Sequence, residues 1–222
     1  MNWKLPNQLT VGRIVLAGVF FVLLGLYEPR EAWGLAVLNA AFVLYLVAGI
    51  TDVLDGYLAR KMNVTSAFGR IADPVVDKVL VVGAFVMLTG SNFALPKDPA
   101  GWEIERGLPH WLTGDMASSV QAWMVVVVLA REFVVSAVRG YSESQGVTFP
   151  ATPAGKIKMF VQSVAICSVL YQLANLRGVP WAVWVKVISV WLAVIVTVAS
   201  GFAYVGKARA ILREDHKDKI QG

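Results

Sequence analysis

The chain has 222 residues, of which 57% are hydrophobic and 16% charged, and its mean hydropathy is +0.61 with a formal net charge of +5. A water-soluble fold of this length has no interior large enough for so much apolar surface, so the composition indicates a membrane protein. One cysteine excludes an internal disulfide, and two histidines in polar stretches disfavour a histidine-based metal site or a Ser-His-Asp triad.

Six segments are long and apolar enough to cross about 30 Å of hydrocarbon as helices. In chain order they are residues 9–27, 33–56, 73–91, 119–139, 156–176 and 181–204. We therefore predict an all-α integral membrane protein with six transmembrane helices, forming one membrane-embedded domain over residues 1–222. Residues 1–8 are predicted to be an interfacial lead-in with Pro6 at a helix start, and residues 205–222 a polar tail.

The lysines and arginines outside the spans are concentrated on one side. With six spans both termini share that side, whereas the opposite side carries only Arg30, Lys97, Arg106 and Arg177. The positive-inside rule places both termini, and the segment 52–77 with them, on the cytoplasmic side of the membrane. We expect that membrane to be a bacterial inner membrane. The acidic loop 92–118 is expected to be external.

Four aspartates lie where the second and third spans meet: Asp52, Asp55, Asp73 and Asp77. At helical spacing the first two share one stripe, together with the small residues Gly56 and Ala59, and the last two are about 40° apart. If the two spans are antiparallel neighbours, all four carboxylates converge just below the cytoplasmic surface. Four like charges in a low dielectric need a countercharge, and oxygen ligands suit Mg²⁺ or Mn²⁺. The pattern therefore predicts a divalent-metal site that binds a phosphate beside the trough left by the small residues.

A purely structural interpretation of these acids is that they are helix-end charges. Asp73 followed by Pro74 has the form of an N-cap with proline at the first helical position. That explains Asp73 alone, because Asp52 and Asp55 precede a predicted helix C-terminus, where negative charge is unfavourable. Acids within a span are more often functional, so we favour the metal site.

The pattern Asp52-x2-Asp55-Gly56-x2-Ala59-Arg60-x8-Gly69-x3-Asp73-x3-Asp77 resembles, at every fixed position, the signature of the CDP-alcohol phosphatidyltransferases. The resemblance implies the fold of that family, a six-helix membrane enzyme and usually a homodimer. It also implies two bound metal ions, Mg²⁺ or Mn²⁺, and displacement of CMP from CDP-diacylglycerol by an alcohol hydroxyl.

Roles for the motif residues follow from the same resemblance. Asp52, Asp55 and Asp73 would be metal ligands, and Asp77 would be both a ligand and the general base. The residues expected to make room for the cytidine nucleotide are Gly56, Ala59 and Gly69, with Arg60 near its phosphates.

A second polar set lies downstream, in "AREFVVSAVRG" at 130–140 and "GKIKMFVQ" at 155–162. Arg131 lies within a span and shares a broad helix face with Glu132 and Arg139, while Lys156 and Lys158 begin the fifth span on the same side. Two arginines and two lysines against one acid predict a pocket for an anionic substrate, such as an alcohol that carries its own phosphate. The lysines are also explained as positive-inside anchors, and Arg131 as a partner of Glu132 or of an aspartate.

Three stretches are similar to the phosphatidylglycerophosphate synthase branch of the family: "LPNQLTVGR" at 5–13, "REFVVSAVRG" and "GKIK". The resemblance extends from Leu5 to about Gln162, and the last two helices look generic. Met159 departs from it, because that branch often carries threonine there.

That branch uses sn-glycerol 3-phosphate as acceptor. By resemblance, its phosphate would be bound by Arg131, Arg139, Lys156 and Lys158. Glu132 and Ser136 would support this pocket. Asn7, Thr10 and Arg13 are expected to line the nucleotide mouth, although Asn7 fits a helix cap equally well.

The expected reaction converts CDP-diacylglycerol and sn-glycerol 3-phosphate to phosphatidylglycerol phosphate and CMP, with membrane lipids as surroundings and no nucleic-acid partner. Within the family, the acceptor could instead be inositol phosphate, serine or phosphatidylglycerol. Outside it, the alternatives are a divalent-cation transporter and a structural membrane protein.

Overall fold

The computed structural model describes the backbone of residues 5–62, 67–93, 120–144, 153–177 and 179–221. It describes the side chains of residues 10–52, 75–93, 120–144, 155–177 and 179–206.

Six long α-helices make up the described fold. They are α1 (Leu5–Leu26), α2 (Gly34–Met62), α3 (Ala67–Met87), α4 (Ala122–Ser144), α5 (Pro153–Asn175) and α6 (Pro180–Gln221). A 3₁₀ turn, Ser91–Phe93, follows α3, and no strand occurs within the described ranges. The predicted all-α architecture is confirmed. Most of loop 92–118 lies outside the described residues.

The helices continue past the predicted apolar spans at one end of the bundle. α2 runs on to Met62 and α3 already begins at Ala67, although the apolar pattern covers only 33–56 and 73–91. In the same way α4 continues to Ser144 and α6 to Gln221. All of these extensions are at the end predicted to be cytoplasmic. The apolar pattern predicts only the part of a helix that lies in hydrocarbon. Backbone hydrogen bonds continue beyond that part, so the helix itself is longer than its apolar segment.

The helix boundaries contradict the interpretation of Asp73 as an N-cap. Because α3 begins at Ala67, Asp73 and Pro74 lie inside the helix. Asp52 and Asp55 likewise lie inside α2, which ends only at Met62. The four aspartates are therefore placed within two regular helices rather than at helix ends.

Membrane-spanning character is clear in three helices by length and composition. Their apolar stretches are Gly34–Asp52, Gly155–Asn175 and Pro180–Gly206, and α1 contributes the shorter stretch Thr10–Leu26. The corresponding part of α4 is interrupted by three charged residues, and the described side chains of α3 begin only at Val75.

The six helices close into a ring. α1 packs against α2 and α3, α2 against α5, α5 against α6, α6 against α4, and α4 against α3. α3 also contacts α5 across the ring. Buried apolar side chains fill the interior, among them Phe20, Leu24, Leu38, Tyr45, Phe85, Leu88, Ile166, Leu170, Val183 and Val190. Chain neighbours alone do not make this ring, since α2 and α5 meet across two intervening helices.

The predicted external end of the bundle is fixed by contacts around Tyr27. The Tyr27 hydroxyl accepts a hydrogen bond from Arg177, and Asn92 Nδ2 donates to the Tyr27 carbonyl oxygen at 3.1 Å. The Tyr27 ring packs against Phe93 with the centroids 5.0 Å apart. These contacts join the loop after α1 to the turn after α3 and to the connection between α5 and α6.

Gly34 begins α2 beside this cluster, where a Cβ atom would lie 2.4 Å from the backbone carbonyl oxygen of Glu28. We expect Gly34→Ala to lower the free energy of unfolding by about 1–3 kcal/mol, because the backbone must shift to relieve the clash. The midpoint of thermal unfolding in detergent measures this. Gly18→Ala is the matched control, since a Cβ there meets nothing within 4 Å. Equal midpoints for Gly34→Ala and the unmodified protein would contradict the prediction.

Candidate active site at one end of the helix ring

At the predicted cytoplasmic end of the ring, the inward-facing positions change from apolar to polar. On α1, Arg13 precedes the buried Ala17 and Phe20 at helical spacing, and on α2 Asp52 follows the buried Ala48 in the same way. The corresponding positions on the other helices are Asp77 on α3, Glu132 on α4, Lys158 on α5 and Ser200 on α6. The helical period that buries the apolar core therefore also directs these polar side chains toward the same end of the interior.

The Arg13 guanidinium joins three helices. Its Nη1 lies 2.7 Å from Oδ1 of Asp52 on α2 and 3.0 Å from Oδ1 of Asp77 on α3. The Arg13 side chain is 1% exposed, whereas those of Asp52 and Asp77 are 39% and 23% exposed. The cation thus lies beneath two carboxylates that remain accessible. Such charge-assisted hydrogen bonds hold the two carboxylates in a fixed relation to each other.

The same two carboxylates have the chemistry of divalent-metal ligands. They come from two different helices, remain accessible beyond Arg13, and carboxylate oxygens are the ligands that Mg²⁺ and Mn²⁺ prefer. The other two predicted ligands, Asp55 and Asp73, lie on α2 and α3 with side chains outside the described residues. Among the side chains that are described, no three acidic, histidine or cysteine groups form a cluster.

The predicted nucleotide-binding residues fall mainly outside the described side chains. These are Asn7 on α1, Gly56, Ala59 and Arg60 on α2, and Gly69 on α3. Thr10 is described and is buried on α1, three residues before Arg13. Arg13, which is also expected to line the nucleotide mouth, contacts Asp52 and Asp77.

Glu132 forms ion pairs with two of the predicted phosphate-binding residues. Its Oε1 accepts a hydrogen bond from Arg131 Nη1 at 2.9 Å and another from Lys158 Nζ. All three side chains are at most 10% exposed. One carboxylate between two buried cations leaves surplus positive charge, and such charge is costly in a low dielectric unless an anion compensates it.

α6 supplies polar partners to both predicted arginines. Ser200 Oγ accepts a hydrogen bond from Arg131 Nε at 3.2 Å, and the Arg131 guanidinium carbon lies 5.4 Å from the centroid of the Tyr204 ring. Arg139 Nη2 donates to the Tyr204 hydroxyl at 3.3 Å. The sequence interpretation of the last helix as generic missed Ser200 and Tyr204. Their only signal in the sequence is that they lie on the inward-facing stripe of the sixth span.

Lys156 stands apart from the other predicted phosphate-binding residues. It is exposed on α5, two residues before the buried Lys158. Within the described part of the chain, Glu132 pairs with Arg131 and Lys158 and not with Lys156. This placement agrees with the alternative that Lys156 is a positive-inside anchor.

Lys78 connects α3 to the helix that carries the basic groups. It follows Asp77 on α3, and its Nζ donates to Ser136 Oγ on α4 at 2.6 Å. Ser136 Oγ in turn donates to the carbonyl oxygen of Glu132 at 2.7 Å. A lysine within a predicted span is itself typical of a functional site.

Comparisons with known proteins agree with the motif. The sequence model of the CDP-alcohol phosphatidyltransferase family matches residues 3–199. The chain is 30% identical to the CDP-diacylglycerol–glycerol-3-phosphate 3-phosphatidyltransferase of Bacillus subtilis over 216 residues, which cover 92% of this chain and 95% of the relative. Enzymes of the same name from Rickettsia typhi and Shigella flexneri are 32% and 31% identical, covering 90% and 96% of this chain and 94% and 98% of their own. The resemblance drawn from the residues is confirmed.

Removal of the Arg13 charge tests its structural role. We expect Arg13→Gln to lower the free energy of unfolding by about 3 kcal/mol, because Asp52 and Asp77 lose a buried countercharge. The measurement is the thermal unfolding midpoint in detergent with divalent ions chelated. Arg30→Gln, which changes an exposed arginine in the loop after α1, is the control. The prediction is wrong if both variants unfold at the same temperature.

Proposed function

Because the chain belongs to the CDP-alcohol phosphatidyltransferase family, we propose that it transfers the phosphatidyl group of CDP-diacylglycerol to sn-glycerol 3-phosphate. The products are phosphatidylglycerol phosphate and CMP. The observation that carries this proposal is that the same end of the helix ring holds both an acidic and a basic cluster. Asp52 and Asp77 meet at Arg13, whereas Arg131 and Lys158 meet at Glu132. Lys78, the residue after Asp77, hydrogen-bonds Ser136 on the helix that carries Glu132.

The acidic cluster suits the donor lipid. We propose that Asp52 and Asp77, together with Asp55 and Asp73, hold the metal ions. When bound, divalent ions would neutralise the diphosphate of CDP-diacylglycerol and compensate the charge that develops on CMP. Arg13 keeps Asp52 and Asp77 close together without needing a ligand, so these two groups are already arranged when the substrate arrives.

The basic cluster suits the phosphate of the acceptor. Arg131 and Lys158 bring two buried cations to one place, and Arg139 adds a third from two turns further along α4. An arginine fork matches phosphate oxygens bidentately, and a lysine adds a compact charge. Glu132 holds Arg131 and Lys158 without neutralising both, which leaves the surplus charge for the substrate.

The reaction itself requires one proton acceptor. A hydroxyl oxygen of sn-glycerol 3-phosphate attacks the phosphorus that carries the diacylglycerol. A new oxygen–phosphorus bond forms, the bond from that phosphorus to CMP breaks, and Asp77 takes the hydroxyl proton. The step gains most of its rate from holding both substrates in place and from compensating the negative charge.

The orientation in the membrane is also part of the proposal. We place both termini and the site on the cytoplasmic face of a bacterial inner membrane, supported by the lysine and arginine distribution and by helix extensions at that end. Large exposed side chains such as Phe133, Phe160 and Phe202 would then contact lipid chains. The homodimer that the resemblance implies stays a prediction.

Purified protein in detergent, with CDP-diacylglycerol and a panel of labelled acceptors, tests the proposed function. We expect CMP release only when CDP-diacylglycerol, sn-glycerol 3-phosphate and Mg²⁺ or Mn²⁺ are all present, and its loss when the ions are chelated. Release that depends on serine, inositol phosphate or phosphatidylglycerol instead would assign a different acceptor. Metal flux into liposomes without CDP-lipid, and no CMP release, would support a transporter.

Asp77→Asn tests the proposed base. Because the amide cannot accept the hydroxyl proton, we expect kcat to fall by about 10³-fold while much of the CDP-diacylglycerol binding is kept. Single-turnover CMP release and lipid binding measure the two effects separately. Glu143→Gln, at an exposed acid on α4, is the control and should leave turnover unchanged. Near-normal turnover in Asp77→Asn would exclude this residue as the base.

A further inference from the structure

We propose that Ser200, Gly201 and Tyr204 of α6, here called the α6 platform, position Arg131 and Arg139 and thereby set the affinity for the phosphate of the acceptor. This inference rests on the proposed function, because it concerns the phosphate that the basic cluster binds. It assigns a role in substrate specificity to the sixth helix, which lies outside the family motifs described above.

Ser200 and Tyr204 of the platform both contact the Arg131 guanidinium. Arg131 Nε donates to Ser200 Oγ at 3.2 Å, while Nη1 donates to Glu132 on α4 at 2.9 Å. The guanidinium carbon lies over the Tyr204 ring, 5.4 Å from its centroid. A cation that is hydrogen-bonded at two of its nitrogens and lies over an aromatic ring has little rotational freedom left.

Tyr204 holds the second arginine with its hydroxyl. Arg139 Nη2 donates to this hydroxyl at 3.3 Å. The Tyr204 ring is buried and packs against Val135 and Val138 on α4, so its own orientation is fixed by apolar contacts. One tyrosine therefore sets the relative position of two cations that lie two helical turns apart on α4.

Gly201 makes room for this arrangement. A Cβ atom at this position would lie 3.1 Å from Cγ of Arg131 and 4.0 Å from its Cβ. The aliphatic part of Arg131 thus runs directly over the backbone of α6. A larger residue at this position would push the guanidinium away from Ser200 and Tyr204.

The two arginines keep buried donors that point to a ligand. Arg131 Nη2 and Arg139 Nε are both buried, and neither has a hydrogen-bond acceptor among the described residues. The Arg131 side chain is 8% exposed. Leaving buried N–H groups of a cation without an acceptor is unfavourable, so the arrangement is suited to an anion from outside the chain. A phosphate monoester offers several oxygens to two such donors.

Kinetics of two Tyr204 variants test the proposal. Tyr204→Phe removes only the hydroxyl, and Tyr204→Leu also removes the aromatic face. We expect the KM for sn-glycerol 3-phosphate to rise about threefold and about tenfold, respectively, while the KM for CDP-diacylglycerol changes less than about twofold. Phe202→Leu, at a 75% exposed position on the same turn, is the matched control and should leave both constants unchanged.

A double-mutant cycle separates positioning from general loss of packing. Arg139→Met should raise the KM for sn-glycerol 3-phosphate by itself, and adding Tyr204→Phe should then have a smaller effect than it has in the unmodified protein, because the hydroxyl has lost the arginine that it positions. If Tyr204→Leu does not fold, Gly201→Ala replaces it. This variant displaces Arg131 and should shift the same KM by about threefold or more.

The outcomes distinguish the two proposals. If Tyr204→Phe and Gly201→Ala leave the KM for sn-glycerol 3-phosphate unchanged, or raise both KM values equally, the platform proposal is overturned while the proposed function stands. If the unmodified protein releases no CMP with sn-glycerol 3-phosphate, the proposed function itself fails, and the platform proposal fails with it.

Discussion

The ion pairs from Arg13 to Asp52 and Asp77 are the contacts on which the site depends. Carboxylates within a membrane bundle are stable only beside positive charge, and here a single guanidinium supplies it to two helices at once. α1 packs against both α2 and α3, so this one side chain reaches both acids. The need to compensate charge therefore determines which helices surround the site. It also leaves the carboxylates accessible on the side away from Arg13.

The acidic and basic clusters both consist of polar residues on the interior faces of different helices. On α1, α2 and α4 the described interior positions are largely apolar over the span and polar toward the predicted cytoplasmic end, whereas α5 and α6 also bury polar groups elsewhere, such as Gln172 and Lys186. The ring therefore has a mainly apolar interior, with the groups of the candidate site at one end. Toward that end, ion pairs and hydrogen bonds connect the helices in addition to apolar packing. Examples are the contacts between Lys158 and Glu132 and between Gln162 and Thr197.

The apolar segments of the sequence were enough to predict the helices. The fixed spacing of the motif was enough to predict that the aspartates lie on the second and third helices. Helix ends were predicted less well, because α2 and α3 stay helical well past the hydrocarbon and carry Asp73 inside a helix rather than at its cap. The bond between Lys78 and Ser136, and those from α6 to Arg131 and Arg139, were not predictable. They depend on which helices are neighbours in the ring, and spacing within one helix does not contain that information.

The order of residues along the chain has a consequence for biosynthesis. Arg13 lies on the first helix, ahead of both aspartates that it contacts, and Arg131 and Glu132 are adjacent on α4, ahead of Lys158. In a protein synthesised from its N-terminus, the counter-ion of Asp52 and Asp77 has been made before either acid leaves the ribosome. Asp52, Asp77 and Glu132 can thus each meet an existing partner as their helices enter the bilayer, so that none of these three has to wait in lipid for a cation from a helix still to be translated.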